Sequence, residues 1–227
     1  MSFLHNFLFG IYPYVALAVF LIGSLVRFDR EQYSWKSDSS QLLRRGQLRL
    51  GSNLFHIGVL LLFMGHLTLL VPKELYHLVG LTTAGKQMLA IVAGTIFGVT
   101  AFVGLVLLVH RRLTEPRIRA TSSRMDVFIL LWILVTLSLG LVTIPFSLGH
   151  PDGSVMVALA NWAQHIVTFR GGAAGFIADV PPIYRIHLFF GMTMFLLFPF
   201  SRLVHVWSGF GALAYLRRPY QLVRTRG

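Results

Sequence analysis

Nine histidines are spread along the 227 residues, and four of them, His56, His66, His187 and His205, stand inside long apolar runs. Imidazole is the commonest nitrogen ligand of transition metals, and its second ring nitrogen can be held by a hydrogen bond. The chain has no cysteine, which excludes disulfides, thiolate-held iron–sulfur clusters and covalently attached c-type haem. Any haem must be bound non-covalently, through His or Met. One histidine in such a run can simply bond to a neighbouring helix. Four, two on each of two runs, point to ligation, because ionisable groups inside a bilayer are costly and mark sites. His5, His77, His110, His150 and His165 fall in connections or at run ends and read as solvated or interfacial.

The elements that must position these residues are membrane spans. The composition is 55% hydrophobic and 12% charged, with a mean hydropathy of +0.69. Crossing a bilayer core takes roughly 20 helical residues. Five runs qualify, at about 3–26, 50–71, 86–109, 126–148 and 183–207. The expected fold is an all-α membrane protein, a single five-helix bundle over residues 1–227 without a soluble domain. No Lys or Arg precedes the first run and it outlasts a usual signal sequence, so it reads as a retained span.

The net charge of +12 is a topology signal and not a nucleic-acid footprint. Arg27, Arg30, Lys36, Arg44, Arg45 and Arg49 crowd the first connection, and Arg111, Arg112, Arg117, Arg119 and Arg124 the third. Arg217, Arg218, Arg224 and Arg226 fill the tail. Residues 1–26 carry neither Lys nor Arg, and the second and fourth connections carry few. Under the positive-inside rule the N-terminus lies outside, in the periplasm, and the C-terminus in the cytoplasm.

Direction then pairs the histidines by depth. The second span runs outward, so His56 is inner and His66 outer; the fifth runs inward, so His187 is outer and His205 inner. Two bis-histidine sites follow, His66 with His187 and His56 with His205. Imidazole on both sides of iron gives a low-spin haem suited to electron transfer. The 18-residue separation of His187 and His205 is five turns, placing both on one face with Gly191 a turn from His187. The rises disagree, about 15 Å on the second span against about 27 Å on the fifth. Pro199 should bend the fifth span. Gly191 leaves room for a porphyrin or, equally, for a neighbouring helix, and Gly65 beside His66 is a weaker candidate for making space at a quinol site.

One connection is long. Within 149–182, an amphipathic helix is expected over about 154–169, closed by Gly171-Gly172. It either lies in the headgroups or lids a site at the outer face.

The chain resembles the gamma subunit of respiratory nitrate reductase. The resemblance runs nearly the whole length: FLIGS…R closing the first run, SNLFHIG and GH around His56 and His66, RRL…PR.RAT, TIPFS, DGS, RIHL and FPFSRLVHVWS. It implies two haems b on the four histidines, in the pairing above, in a bacterial cytoplasmic membrane. It also implies that quinol, ubiquinol or menaquinol, is oxidised near the outer haem. Electrons then pass to the inner haem, to an iron–sulfur beta subunit and to a molybdenum-containing alpha subunit that reduces nitrate.

Lys86, at the outer start of the third span, reads from position alone as an interfacial lysine snorkelling to the headgroups. The resemblance makes it instead a hydrogen-bond donor to quinone oxygen. Arg202, a turn before His205, suits a propionate of the inner haem, with Arg111 and Arg112 at the same level and Arg112 the weaker candidate; alternatively all three only set topology. Phe28 and Ser34 belong to the surface that could face the beta subunit. Two other readings stay open: a dihaem quinone cytochrome of another complex (formate dehydrogenase, hydrogenase or sulfur-cycle reductase), and a transporter whose histidines relay protons or metal ions.

Overall fold

The computed structural model describes residues 2–31, 34 and 45–207. Lys36, Arg44 and the basic tail (Arg217, Arg218, Arg224 and Arg226) lie outside the described residues. Five helical stretches are long and apolar enough to cross a membrane: α1 (Phe3–Arg30), α2 (Arg45–Leu67), α3 (Thr83–Thr114), α4 (Arg124–Leu148) and the stretch Pro182–Phe200, whose regular part is α6 (Pro182–Leu197). Between the last two lies α5 (Ser154–Val167), the amphipathic helix. Most extend past the apolar runs because polar residues cap them: Thr82 starts α3, and a Ser123–Asp126 capping box starts α4.

Packing runs α2 on α3, α3 on α4, α4 on α6 and α6 on α1. Small residues set the closest of these contacts. A Cβ on Gly58 would lie 2.5 Å from the Ala101 nitrogen, and one on Gly104 would strike the backbone of Phe55. The two backbones therefore meet as small-residue interfaces do in membranes. Large apolar side chains line the outside, among them Leu21, Ile22, Leu60, Met64 and Leu89, as lipid contact requires.

Two prolines break the regular pattern. Pro13 has no N–H for the Phe9 carbonyl four residues back. The chain widens into a π turn at Phe7–Ile11, and the Trp162 indole N–H donates to Phe9 O at 2.8 Å. That bond anchors α5 in the buried cluster of Phe9, Trp162, Ile166, Ile177 and Tyr184. Pro199 does more than bend the fifth span. α6 stops at Leu197, a 3₁₀ turn covers Phe198–Phe200, Ser201 is extended (φ −122°, ψ 177°) and a second turn covers Arg202–Val204. His187 and His205 thus do not sit on one helix, and the expectation of a shared face across five turns fails. The α5 helix also ends earlier than 169. Phe169, at φ 57°, closes it in place of the glycines, with Arg170 N–H donating to His165 O.

Gly104→Ala should destabilise the detergent-solubilised protein by about 1–3 kcal/mol through overpacking. Gly94→Ala, which meets nothing within 4 Å, should be neutral or slightly stabilising. Thermal melts followed by circular dichroism compare the two.

Candidate functional site

The four membrane histidines meet in the two expected pairs. The ring centres of His56 and His205 are 6.2 Å apart, and those of His66 and His187 are also 6.2 Å apart. All four rings are held the same way. The Nδ1–H of His56 donates to Ser52 O (2.8 Å), that of His66 to Leu62 O (2.7 Å) and that of His205 to Arg202 O (2.6 Å). His187 donates across to α4, at Thr136 O (3.1 Å). A carbonyl oxygen only accepts, so Nδ1 carries the hydrogen and Nε2 is left with its lone pair, the arrangement that orients a metal-bound imidazole. His150 and His165 make similar Nδ1 bonds to Phe146 O and Asn161 O; what distinguishes the four is the facing ring.

The spacing discriminates between uses. Two imidazoles sharing one hydrogen bond of about 2.9 Å, with about 1.15 Å from nitrogen to ring centre, put the centres near 5.2 Å. Two metal–nitrogen bonds of about 2.0 Å with the same ring offset give about 6.3 Å. The observed 6.2 Å fits a metal atom between them. Among the described residues no group of three or more His, Asp or Glu gathers to hold a metal ion. Each pair offers two nitrogens, the donor set of axial ligation and not of an all-protein site. There is space for a macrocycle too. α2 and α6 are not among the closely packed helix pairs, and a Cβ on Gly65 or Gly191 would meet nothing within 4 Å. These residues fit a haem.

Sequence reasoning missed Gly140 and Thr136. A Cβ on Gly140 would lie 3.0 Å from His187 Cε1, so any larger residue there would push the ring away from α4. No periodicity marks that glycine, because the contact is made by another helix. His5 and His165, read as solvated or interfacial, are half-buried and partnered. His5 Nε2–H donates to Ala174 O at 2.8 Å, and His165 packs on Phe176.

Beyond His66 the α2 helix ends in a 3₁₀ turn, Thr68–Leu70. Two donors meet its exposed carbonyls: Lys86 Nζ gives to Thr68 O (2.9 Å) and Gln164 Nε2 to Leu69 O (3.0 Å). Lys86 is only 7% exposed and stands 4.2 Å from the centre of the Tyr76 ring, a cation–π contact. It does not snorkel. With Glu74, Tyr76, Asn161 and Gln164 it lines a cleft between α5 and the start of α3. At the opposite pair, Arg202 Nε lies 3.2 Å from Asp126 Oδ1 and Arg112 Nη1 lies 3.8 Å from Asp126 Oδ2. Arg112 also donates to Ser122 Oγ, and Arg111 is buried nearby in sequence.

The family model of the nitrate reductase gamma subunit matches residues 5–226. The chain belongs to that family. It is 52% identical over 227 residues, all of both chains, to the respiratory nitrate reductase 1 gamma chain of Escherichia coli. It is 48% identical to the respiratory nitrate reductase 2 gamma chain of the same organism, covering 100% of this chain and 99% of that one. A nitrate reductase gamma chain of Bacillus subtilis is 36% identical over 220 residues, 96% of this chain and 97% of the other. As a member of the family, the chain is a multi-pass membrane subunit of a nitrate reductase.

Gln164→Leu should leave the Leu69 carbonyl without its donor, at a cost of about 1–3 kcal/mol. Amide exchange should rise at residues 68–72 and stay unchanged in the middle of α4.

Proposed function

We propose that this gamma subunit is the quinol-oxidising dihaem cytochrome b of a respiratory nitrate reductase in a bacterial cytoplasmic membrane. One observation carries the reading: two imidazole pairs, each 6.2 Å between ring centres and each ring fixed through Nδ1. His66 and His187 would hold the outer haem b, His56 and His205 the inner one. A haem held between two imidazoles supplies a low-spin one-electron couple without an open position for oxygen.

Lys86 is the residue best placed to bind quinol. It is joined through Thr68 O to the turn that follows His66, inside a cleft roofed by α5. An ammonium has three donors and no acceptor, so Lys86 orients an oxygen and draws negative charge towards it without taking the proton. Amide oxygens of Asn161 and Gln164 in the same cleft can accept from a quinol hydroxyl. The charge distribution puts this cleft at the outer face, so protons leave there. Electrons leave at the arginine-rich end, where an iron–sulfur beta subunit would receive them for a molybdenum-containing alpha subunit. At that end Arg112 and Arg202 both reach Asp126, and a guanidinium fork suits a haem propionate. Each electron moved inward across the membrane is worth about 2.3 kcal/mol per 100 mV.

Redox-titrated optical spectra of variants test this directly. His66→Ala and His56→Ala should each lose one of two low-spin b-type signals, and only His66→Ala should abolish reduction by quinol. Both signals surviving in either variant would overturn the ligand pairing. Lys86→Ala should keep both signals and slow quinol oxidation about ten- to hundredfold, the loss of one charge-assisted hydrogen bond. In sealed vesicles, proton release on the arginine-rich side would contradict the topology.

A further inference from the structure

The segment that carries His205 is the least regular part of any span. Below Leu197 the chain passes through a 3₁₀ turn, an extended residue and another 3₁₀ turn within seven residues. The bond that holds the His205 ring, Nδ1–H to Arg202 O at 2.6 Å, comes from inside this broken stretch, so the ring's heading follows the stretch itself; inside a bilayer each freed carbonyl there needs a donor.

α1 supplies what the break lacks. Phe20, Gly23 and Arg27, at i, i+3 and i+7, share one face of the helix. Phe20 packs edge-on to Phe198, with ring centres 4.8 Å apart. A Cβ on Gly23 would lie 2.8 Å from Pro199 Cγ, so α1 rests directly on the proline. Arg27 Nη1 donates to both Pro199 O (2.7 Å) and Ser201 O (2.8 Å), the carbonyls either side of Phe200. The rest of the guanidinium is also used: Nε donates to Ser34 Oγ and Nη2 to Ser34 O, both at 3.1 Å. One planar fork thus joins the first connection to the broken strand of chain leading to His205. From the opposite side, Asp126 holds Arg202, whose carbonyl accepts from His205 Nδ1.

We propose that Arg27 is a positioning residue for His205, splinting the break at Pro199–Ser201 so that the ring faces His56. A topology-setting arginine would need only its charge; four donations to fixed backbone and hydroxyl oxygens require the guanidinium fork. The proposal rests on His56 and His205 being an axial pair.

The test uses the chain assembled in its complex, with optical and paramagnetic redox titration of each low-spin signal. Arg27→Gln should shift the potential and line shape of the His56/His205 signal, or lose that signal alone, and leave the His66/His187 signal unchanged. Arg27→Lys, which keeps the charge without the fork, should give a smaller shift of the same signal. If Arg27→Gln does not accumulate, Arg27→Lys decides on the same readout. Both signals unchanged in Arg27→Lys and Arg27→Gln, or both altered equally, would overturn the proposal. His205→Ala is the control. If it keeps both signals the axial pairing itself is wrong, whereas if it loses one while the Arg27 variants lose none, only the splint is wrong.

Discussion

Two imidazoles can share one metal atom only if their ring centres stand about 6 Å apart with both Nε2 atoms turned inward, and neither requirement is met by apolar packing. Here a backbone carbonyl fixes each ring through Nδ1, so orientation is set by the helix geometry itself. Three of the four carbonyls belong to the ring's own helical turn, and the fourth, Thr136 O, belongs to α4. Much else follows from keeping these rings in place. α2 and α6 must stand apart by more than ordinary packing, α3 and α4 must span the gap behind them, and Gly140 must stay small so that His187 can turn.

The bundle is open where the rings meet and tight elsewhere. Gly58, Ala101 and Gly104 bring α2 and α3 into backbone contact, which makes α3 the fixed wall from which α2 presents His56 and His66. Trp132 does the same for α6, donating to Phe190 O and stacking on its ring.

A second constraint comes from helix ends near the membrane faces. Three of these ends leave carbonyls without intrahelical donors, and a long polar side chain from another helix meets them. Gln87 donates to Ser147 O and His150 O at the end of α4, Lys86 and Gln164 serve the turn after α2, and Arg27 serves the break after α6. Lys86 therefore occupies both a structural and a candidate binding position. An ammonium has three donors, so Lys86 can keep Thr68 O and still give a hydrogen to an oxygen of a ligand.

The five spans were legible in the sequence because bilayer thickness demands long apolar runs, and the histidine pairing because span direction converts sequence order into depth. The unequal spacing, ten residues against eighteen, had no explanation at that level; the break at Phe198–Ser201 removes the unbroken-helix rise it assumed. Arg27 read only as a topology charge, and the ten-residue step from His56 to His66 did not show that both would face α6. Composition and order determine what must be buried and at which depth, since those depend on transfer energies of single residues. Which carbonyl a side chain reaches, and which glycine makes room for a ring, depend on how separate helices meet. Only the tertiary structure decides that.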